Sequence, residues 1–126
     1  MLYPKFDYQK AMPTPWGKAD SKWKITKGVY EVGTPGHGGI LVGKAVAKKL
    51  LSPKAITCGF SWASYYAFEE DCDWAAFVYE QPEIFTKAWS EHNPICYKEN
   101  PEKYTAEAVK ADAKESLKRW HKEYFA

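Results

Sequence analysis

Apolar and polar residues alternate in the first half of the chain in a way that predicts strands. Trp23 and Ile25 stand two apart, and residues 29–32 combine β-branched and aromatic side chains, which favour a pleated strand. Residues 40–42 form a second apolar run after a glycine-rich connection, so a β-hairpin is the simplest assembly. Residues 65–68 have the same character and predict a third strand.

Apolar residues at helical spacing lie between and after these strands. Residues 44–51 predict a short amphipathic helix, which is followed by a link to Cys58. Asp71 is the expected N-cap of a helix whose first turn is residues 72–74. Pro82 begins a further helix, because proline is tolerated at the first helical position.

The last part of the chain has the longest helical pattern. Five apolar residues recur at spacings of four, four, three and four, and Asn100 or Thr105 can start the helix. We expect all five on the side that faces the core. They are Val109, Ala113, Leu117, Trp120 and Tyr124.

Together these elements predict an α+β fold, in which helices cover a small antiparallel sheet made of a hairpin plus one or more strands. The 126 residues are enough for one domain but hardly for two. Within that single domain we distinguish an extended, proline-rich arm at residues 1–17, a core at residues 18–90 and a long C-terminal amphipathic helix at residues 100–125.

Composition adds two features to this picture. Aromatic residues make up 17% of the chain, so a few large side chains must supply much of the buried surface. The formal net charge of +2 hides an asymmetry, because residues 1–60 carry ten lysines against three acidic residues, whereas residues 61–126 carry thirteen acidic residues against eight basic ones. Halves of opposite charge can give the folded protein a dipolar surface.

Composition also excludes several classes of protein. Three cysteines without a C-x-x-C spacing indicate neither a disulfide framework nor a zinc ribbon. No apolar run approaches the ~18 residues of a membrane span, and the first residues do not have the pattern of a signal peptide. Arg119 is the single arginine, so sequence-specific reading of DNA is not expected. We expect a cytoplasmic protein that has no membrane partner and needs no cofactor or metal.

The first segment that could carry chemistry is residues 34–39, TPGHGG. Its glycines remove Cβ atoms where a ligand or another backbone could approach. His37 could then be a base, a metal ligand or an anion contact. The alternative is that the glycines form a hairpin turn and that His37 satisfies a neighbouring carbonyl.

The second segment is residues 69–74, EEDCDW, which holds four carboxylates in five residues. These could bind a metal ion, although adjacent residues cannot all face one ion unless the backbone turns. Cys72 would gain thiolate character at a helix N-terminus, whereas its acidic neighbours raise its pKa. The alternative is a structural corner, with Asp71 as the cap and Cys72 buried.

A binding surface is the third interpretation of this acidic segment. Residues 69–102 interleave nine acidic residues with tryptophan and tyrosine against two lysines, which suits a basic protein surface, including one built for nucleic acid. The sequence assigns no catalytic residue, and the catalytic candidates are His37, Glu70 and Cys72. The candidate binding residues are Thr34, Gly36, His37, Gly38, Gly39, Glu69, Glu70, Asp71, Asp73 and Trp74.

In these two segments the chain resembles an uncharacterised family of small domains from phages, plasmids and bacteria. The family is marked by T-P-x-H-G-G, here residues 34–39, followed by E-E-D-C-x-W, here residues 69–74, with Pro15-Trp16-Gly17 as a weaker upstream match. The resemblance covers approximately residues 14–86 and leaves the C-terminal helix outside. It implies a mobile-element setting rather than a particular reaction.

We therefore expect a small interaction protein that binds and inhibits a host macromolecule in the host cytoplasm. A defence nuclease complex is the target class, which makes the role anti-CRISPR or similarly anti-defence. One alternative is a small hydrolase that uses His37 with the acidic corner at residues 69–73. The other is non-specific nucleic-acid binding by the lysines of the first half, which predicts a steep dependence on salt.

Overall fold

The computed structural model describes residues 13–126, and within them the α+β fold expected from the sequence is confirmed. Seven strands form a two-stranded ribbon and a five-stranded antiparallel sheet with the order β3-β4-β5-β7-β6. The strands are β1 (Pro13–Thr14), β2 (Gly17–Lys18), β3 (Ser21–Thr26), β4 (Val29–Gly33), β5 (Gly38–Gly43), β6 (Phe60–Trp62) and β7 (Tyr65–Glu69).

Six α-helices and two 3-10 helices complete the described part of the chain. The helices are α1 (Lys44–Leu50), α2 (Pro53–Cys58), α3 (Trp74–Glu80), α4 (Pro82–His92), α5 (Pro94–Glu99) and α6 (Ala106–Trp120), with 3-10 helices at Pro101–Tyr104 and Lys122–Phe125. None of them is long and apolar enough to cross a membrane.

The two faces of the sheet bury different sets of side chains. Because side chains alternate along a strand, Ile40 and Val42 point toward the helices, whereas Leu41 between them points to the other face. The larger cluster joins the helix side of the sheet to α1, α2, α3, α4 and α6. The smaller cluster is covered by aromatic residues, among them Trp16 from the β1–β2 ribbon. The helices and the sheet therefore share one main core.

Hydrogen bonds tie the end of the chain to this core. The carboxylate of Glu80, at the end of α3, accepts hydrogen bonds from the backbone N–H of Ser52 at 2.7 Å and from its hydroxyl at 2.6 Å. The same carboxylate accepts the hydroxyl of Tyr124, from the last 3-10 helix. Burial and the neighbouring Glu80 raise the pKa of Tyr124, so this hydroxyl remains a donor.

The structure corrects the sequence analysis in the sheet. The apolar stretch before the glycine-rich connection is two strands, β3 and β4, because Gly28 adopts φ +80° and reverses the chain between them. The expected link after α1 contains helix α2, which Ser52 caps by accepting the N–H of Ala55 at 3.2 Å. The short strand β6, on the sheet edge, was also missed.

The structure also corrects two expectations about helices. Asp71 is not the cap of α3, since the helix starts at Trp74 and Asp73 holds the N-cap position. In the C-terminal stripe Ala113 and Leu117 are fully buried as expected, but Trp120 is 56% exposed. The helix ends at Trp120, so the spacing that continues to Tyr124 no longer follows one helical face.

The expected arm is described only in part. Residues 1–12 lie outside the described residues. Pro13 to Lys18 form the small ribbon, and the hydroxyl of Thr14 closes it by donating to the carbonyl of Gly17 at 2.6 Å. At the tip, Trp16 meets the edge-strand residue Phe60 edge to face, with ring centroids 6.3 Å apart.

Candidate functional site

The histidine segment is a closed turn between β4 and β5. The backbone N–H and the hydroxyl of Thr34 both donate to the carbonyl of His37 at 2.7 Å, and the N–H of His37 donates to the Thr34 hydroxyl oxygen at 3.1 Å. These bonds close the turn between Thr34 and His37, and the imidazole of His37 is 57% exposed at its tip.

The two glycines after His37 permit close approach of strands. A Cβ on Gly39 would lie 2.3 Å from the carbonyl oxygen of Phe68 and 2.6 Å from Cη2 of Trp16. A Cβ on Gly38 would lie 2.6 Å from the carbonyl oxygen of Val32. The sheet itself thus requires both glycines, which supports the structural alternative for them.

The turn and the acidic corner meet at one end of the sheet. Gly39 on β5 pairs with Glu69 on β7, and this register brings Nδ1 of His37 to 3.6 Å from a carboxylate oxygen of Glu69. At this distance Glu69 can orient the imidazole. The partner of His37 is therefore Glu69 rather than Glu70 or Cys72.

Cys72 lies in an environment that keeps its thiol protonated. Burial raises its pKa to about 11, and a hydrogen bond to Asp73 and the charges of Asp73 and Glu69 act in the same direction. A nucleophilic cysteine needs a lowered pKa. The structure therefore gives Cys72 no activation, as its acidic neighbours led us to expect.

Asp73 is committed to holding the fold together. It is 9% exposed, one carboxylate oxygen lies 2.8 Å from Nε2 of His121, and the other accepts the N–H of Glu69 at 3.3 Å. This pair connects the corner to the residue that follows α6. Asp73 was expected to bind a partner, but both of its carboxylate oxygens are used inside the chain.

We expect Asp73→Asn to destabilise the protein by about 2 kcal/mol, because it removes the charge from a largely buried hydrogen bond to His121. Asp71→Asn is the matched control, since Asp71 is exposed and two residues away. Urea unfolding of both variants checks this. Equal stability of the two variants would contradict the structural role.

Two groups of three residues could contribute ligands to a metal ion. His37, Glu69 and Asp71 hold one ligand atom each within 4.8 Å of one another, and so do Glu69, Cys72 and Asp73. Within residues 13–126 neither group extends to a fourth such residue, which a structural zinc site would need. In the second group, Asp73 is also already hydrogen bonded within the chain.

A carboxylate that the sequence analysis did not single out lies on the helix side of the sheet. Glu31 on β4 pairs with Ile40 on β5 and shares its face, and the backbone N–H of Glu70 donates to the carbonyl of Gly38 at 3.0 Å, at the same end. Both carboxylates line a cavity of about 280 Å³, here named the carboxylate pocket. Its lining residues are Glu31, Gly39, Ile40, Glu70, Trp74, Phe85 and Trp89.

The carboxylate pocket perturbs the acidity of Glu31. Burial, together with the charge of Glu70, raises the pKa of Glu31 to about 7. The alternation of side chains along β4 predicts this position, because Glu31 is two residues from the fully buried Val29 and lies on the same face of the strand. The sequence analysis counted Glu31 only as one of three acidic residues in the basic half.

We expect the free energy of unfolding to fall as pH rises from about 4.5 to about 7, because the folded state holds the Glu31 proton more tightly than the unfolded state does. Above this window Glu31 is ionised in both states, but its charge is partly desolvated in the folded protein and hydrated in the unfolded chain. Between acidic and mildly alkaline pH, the free energy of unfolding of Glu31→Gln should therefore rise by about 2 to 3 kcal/mol relative to that of the wild type. Urea unfolding across this range checks it, and parallel pH profiles would contradict it.

A second cavity adjoins the carboxylate pocket. Trp74, Phe85 and Trp89 line both cavities, so these three residues form a shared aromatic wall. The second cavity has a volume of about 170 Å³, and Asp112 of α6 lies at its border. On this side Trp89 stacks on Tyr104 at a centroid distance of 4.2 Å. We name the two cavities together the acidic aromatic groove.

A broader depression of about 690 Å³ lies beside the groove and also includes Trp74. It carries charges of both signs, such as Asp71 and Glu115 against Lys118 and Arg119. Because both signs of charge line this depression, its electrostatics favour neither a cationic nor an anionic ligand. Among these cavities, the acidic aromatic groove alone combines an aromatic wall with exclusively acidic ionisable groups.

Comparison with known proteins gives a family but no activity. A family model described as a domain of unknown function, DUF7007, matches residues 9–126. The chain belongs to the DUF7007 family. Because the DUF7007 match reaches residue 126, the C-terminal helix is part of the family domain, and the expectation that it lies outside is wrong. A search of the curated proteins finds no significant match, and neither does a search of the solved structures.

Proposed function

We propose that this DUF7007 domain is an interaction protein that binds a basic segment of a host macromolecule in its acidic aromatic groove. The observation that carries the proposal is the composition of the groove. Glu31 and Glu70 lie at one end of the aromatic wall and Asp112 at the other. Lysine and arginine side chains match such a surface, since their stems pack on aromatic rings while their charges meet carboxylates.

The charge balance of the groove supports a cationic partner over a neutral one. The ion pairs found among residues 13–126 join His37 to Glu69, Lys118 to Glu115 and His121 to Asp73. Neither Glu31, Glu70 nor Asp112 takes part in them. A cation from a partner would relieve the repulsion between Glu31 and Glu70 and offset the desolvation of Glu31.

Basic segments of this kind are typical of proteins that hold nucleic acid. Together with the phage and plasmid setting implied by the T-P-x-H-G-G and E-E-D-C-x-W motifs, this favours a defence nuclease complex in the host cytoplasm as the target. Occupying the basic surface of such a complex would exclude its nucleic acid. The domain would then act as an anti-CRISPR or related anti-defence inhibitor.

Peptide titration tests the binding class. A basic peptide of about a dozen residues, rich in arginine and lysine, should bind the protein in isothermal titration calorimetry, and an acidic peptide of matched length should not. Asp112→Lys should weaken binding by about tenfold, since it removes an attraction and adds a repulsion at the border of the groove.

The matched control is Glu107→Lys. Glu107 is exposed on the same helix, undergoes the same change of charge and does not line the groove. It should leave the affinity within about twofold. Binding of double-stranded DNA in place of the basic peptide, or an equal loss in both variants, would contradict the proposal.

The inhibitory role has its own test. Expression of the chain in a strain whose nuclease system restricts a phage should restore plaque formation, and Asp112→Lys should lose this effect while Glu107→Lys keeps it. The chain could bind a purified nuclease complex and still leave phage restriction by that system intact. This result for every complex that binds the chain would refute inhibition. Binding would stand in that case.

The contact between His37 and Glu69 favours a hydrolase as the second candidate. His37 would serve as a general base that Glu69 orients, and water would be the nucleophile because the Cys72 thiol stays protonated. Turnover of ester or phosphoester substrates that His37→Gln abolishes would support this candidate. Turnover that survives this change would remove it.

A further inference from the structure

We infer that the carboxylate pocket is the anchor site of the groove and takes the guanidinium group of one arginine side chain of the partner. This inference rests on the proposed function and specifies which chemistry the groove recognises. The size of the cavity, the placement of its carboxylates and the nature of its wall support it.

The size of the pocket suits a single side chain. Its volume of about 280 Å³ is at the small end of ligand sites, which typically measure about 300–1,000 Å³, and is sufficient for a single side chain. Gly39 and Ile40 of β5 line its sheet side, and Phe85 and Trp89 of α4 line the side opposite. A long, thin group that enters between the sheet and α4 fits this shape.

The carboxylates are placed to receive several hydrogen-bond donors at once. Glu31 is half-buried and Glu70 is exposed at the opening, so one can contact the inner edge of an entering group and the other its outer edge. Guanidinium carries five N–H donors in a rigid fork, which two carboxylates can share. Ammonium has three donors on one atom and reaches two separated carboxylates less well.

Cations of the neighbouring strand belong to the opposite face. On β3, Lys22 pairs with Val32, and its Nζ lies over the Tyr30 ring at 4.4 Å from the centroid. Val32 and Tyr30 belong to the cluster behind the sheet, whereas Glu31 points toward the helices. The lysines of β3 therefore do not neutralise the carboxylates of the pocket, and a cation from a partner can do so.

The aromatic wall selects guanidinium over ammonium. Trp74, Phe85 and Trp89 are all half-buried and line the pocket. Guanidinium is planar, is weakly hydrated and stacks on aromatic faces, whereas ammonium is strongly hydrated and loses more on entering a partly dry cavity. The combination of two carboxylates with an aromatic wall is therefore better matched to arginine than to lysine.

Small-molecule probes separate this inference from the proposed function. We would titrate n-butylguanidinium and n-butylammonium into the isotopically labelled protein and follow the indole N–H signals of Trp74 and Trp89 by NMR. n-Butylguanidinium should bind a few times more tightly than n-butylammonium. Glu31→Gln and Glu70→Gln should each weaken it by about tenfold.

Glu69→Gln is the matched control for Glu70→Gln. The two residues are neighbours in the chain, but Glu69 ends β7 beside His37 and does not line the pocket, so its change should leave the affinity within about twofold. Glu31→Gln removes a partly buried charge and keeps the shape of the side chain, so this variant is expected to fold.

Each outcome decides one of the two claims. Equal or tighter binding of n-butylammonium would overturn the preference for arginine. Failure of both probes, while the basic peptide still binds, would overturn the pocket as the anchor and leave the proposed function intact. Failure of the probes and of the basic peptide together would overturn the proposed function as well.

Discussion

Replacing Gly39 with alanine is expected to destabilise the protein by about 3 kcal/mol or more, because the new Cβ has no room in the sheet. It would lie 2.3 Å from the carbonyl oxygen of Phe68, which is a backbone atom in a paired strand and cannot turn away as a side chain could. It would also meet the Trp16 ring at 2.6 Å. Chemical denaturation followed by circular dichroism measures this loss.

Gly36 is the matched control for Gly39. It lies in the same six-residue segment, but a Cβ there meets no atom within 4 Å and the residue does not have a positive φ. Gly36→Ala should leave stability within about 0.5 kcal/mol or raise it slightly, since alanine narrows the unfolded ensemble. Equal losses in the two variants would contradict the close approach of strands as the reason for Gly39.

Leu117→Ala should remove about 3 kcal/mol of stability, because it leaves a cavity where α6 packs into the main core. Leu117 is fully buried and belongs to the same cluster as the sheet residues Ile40 and Phe68. The loss should appear as one transition in both far-UV and near-UV signals, since helix and sheet share this cluster. Separate transitions would show that the C-terminal helix folds apart from the sheet.

Trp120→Ala distinguishes the structure from the sequence pattern. The apolar stripe places Trp120 beside Leu117 in the core, whereas in the structure it is 56% exposed in the last turn of α6. We expect its removal to change stability by no more than about 0.5 kcal/mol. A loss comparable to that of Leu117→Ala would mean that the stripe predicted the packing correctly.

The sheet could be predicted from the sequence where local patterns are strong. Residues 40–42 and 65–68 are dense in β-branched and aromatic residues, and both became strands. Gly28 was visible as a break, but whether it bends one strand or separates two depends on the pairing of β3 with β4, which the sequence analysis did not consider. The helix at Pro53–Cys58 is only six residues long and has too little periodicity to detect.

The candidate site could be predicted only in part. The order of the two motifs in the chain does not predict the distance between them in space. The pairing of Gly39 with Glu69 in the sheet brings His37 beside the acidic corner. The internal use of Asp73 depends on His121, which lies 48 positions away. A pairing at that separation has no local signature in a single sequence.

The acidic aromatic groove was harder to predict from the sequence than the fold was. Its carboxylates come from β4, the turn after β7 and helix α6, three elements that are distant in the chain. The sequence analysis noted the acidic and aromatic character of residues 69–102, and Glu70, Trp74 and Trp89 of the groove lie within that range. It could not supply Glu31, which lies in the basic half and completes the pocket.

NMR of the tryptophan indole N–H groups tests the central claim most directly, because the tryptophans report from both faces of the sheet. Trp74 and Trp89 line the groove, whereas Trp16 and Trp62 pack on the opposite face. On titration with the basic peptide we predict that the first two signals shift and saturate together while the last two stay in place. Shifts confined to Trp16 and Trp62, or no shift at any tryptophan, would contradict a groove that binds basic segments.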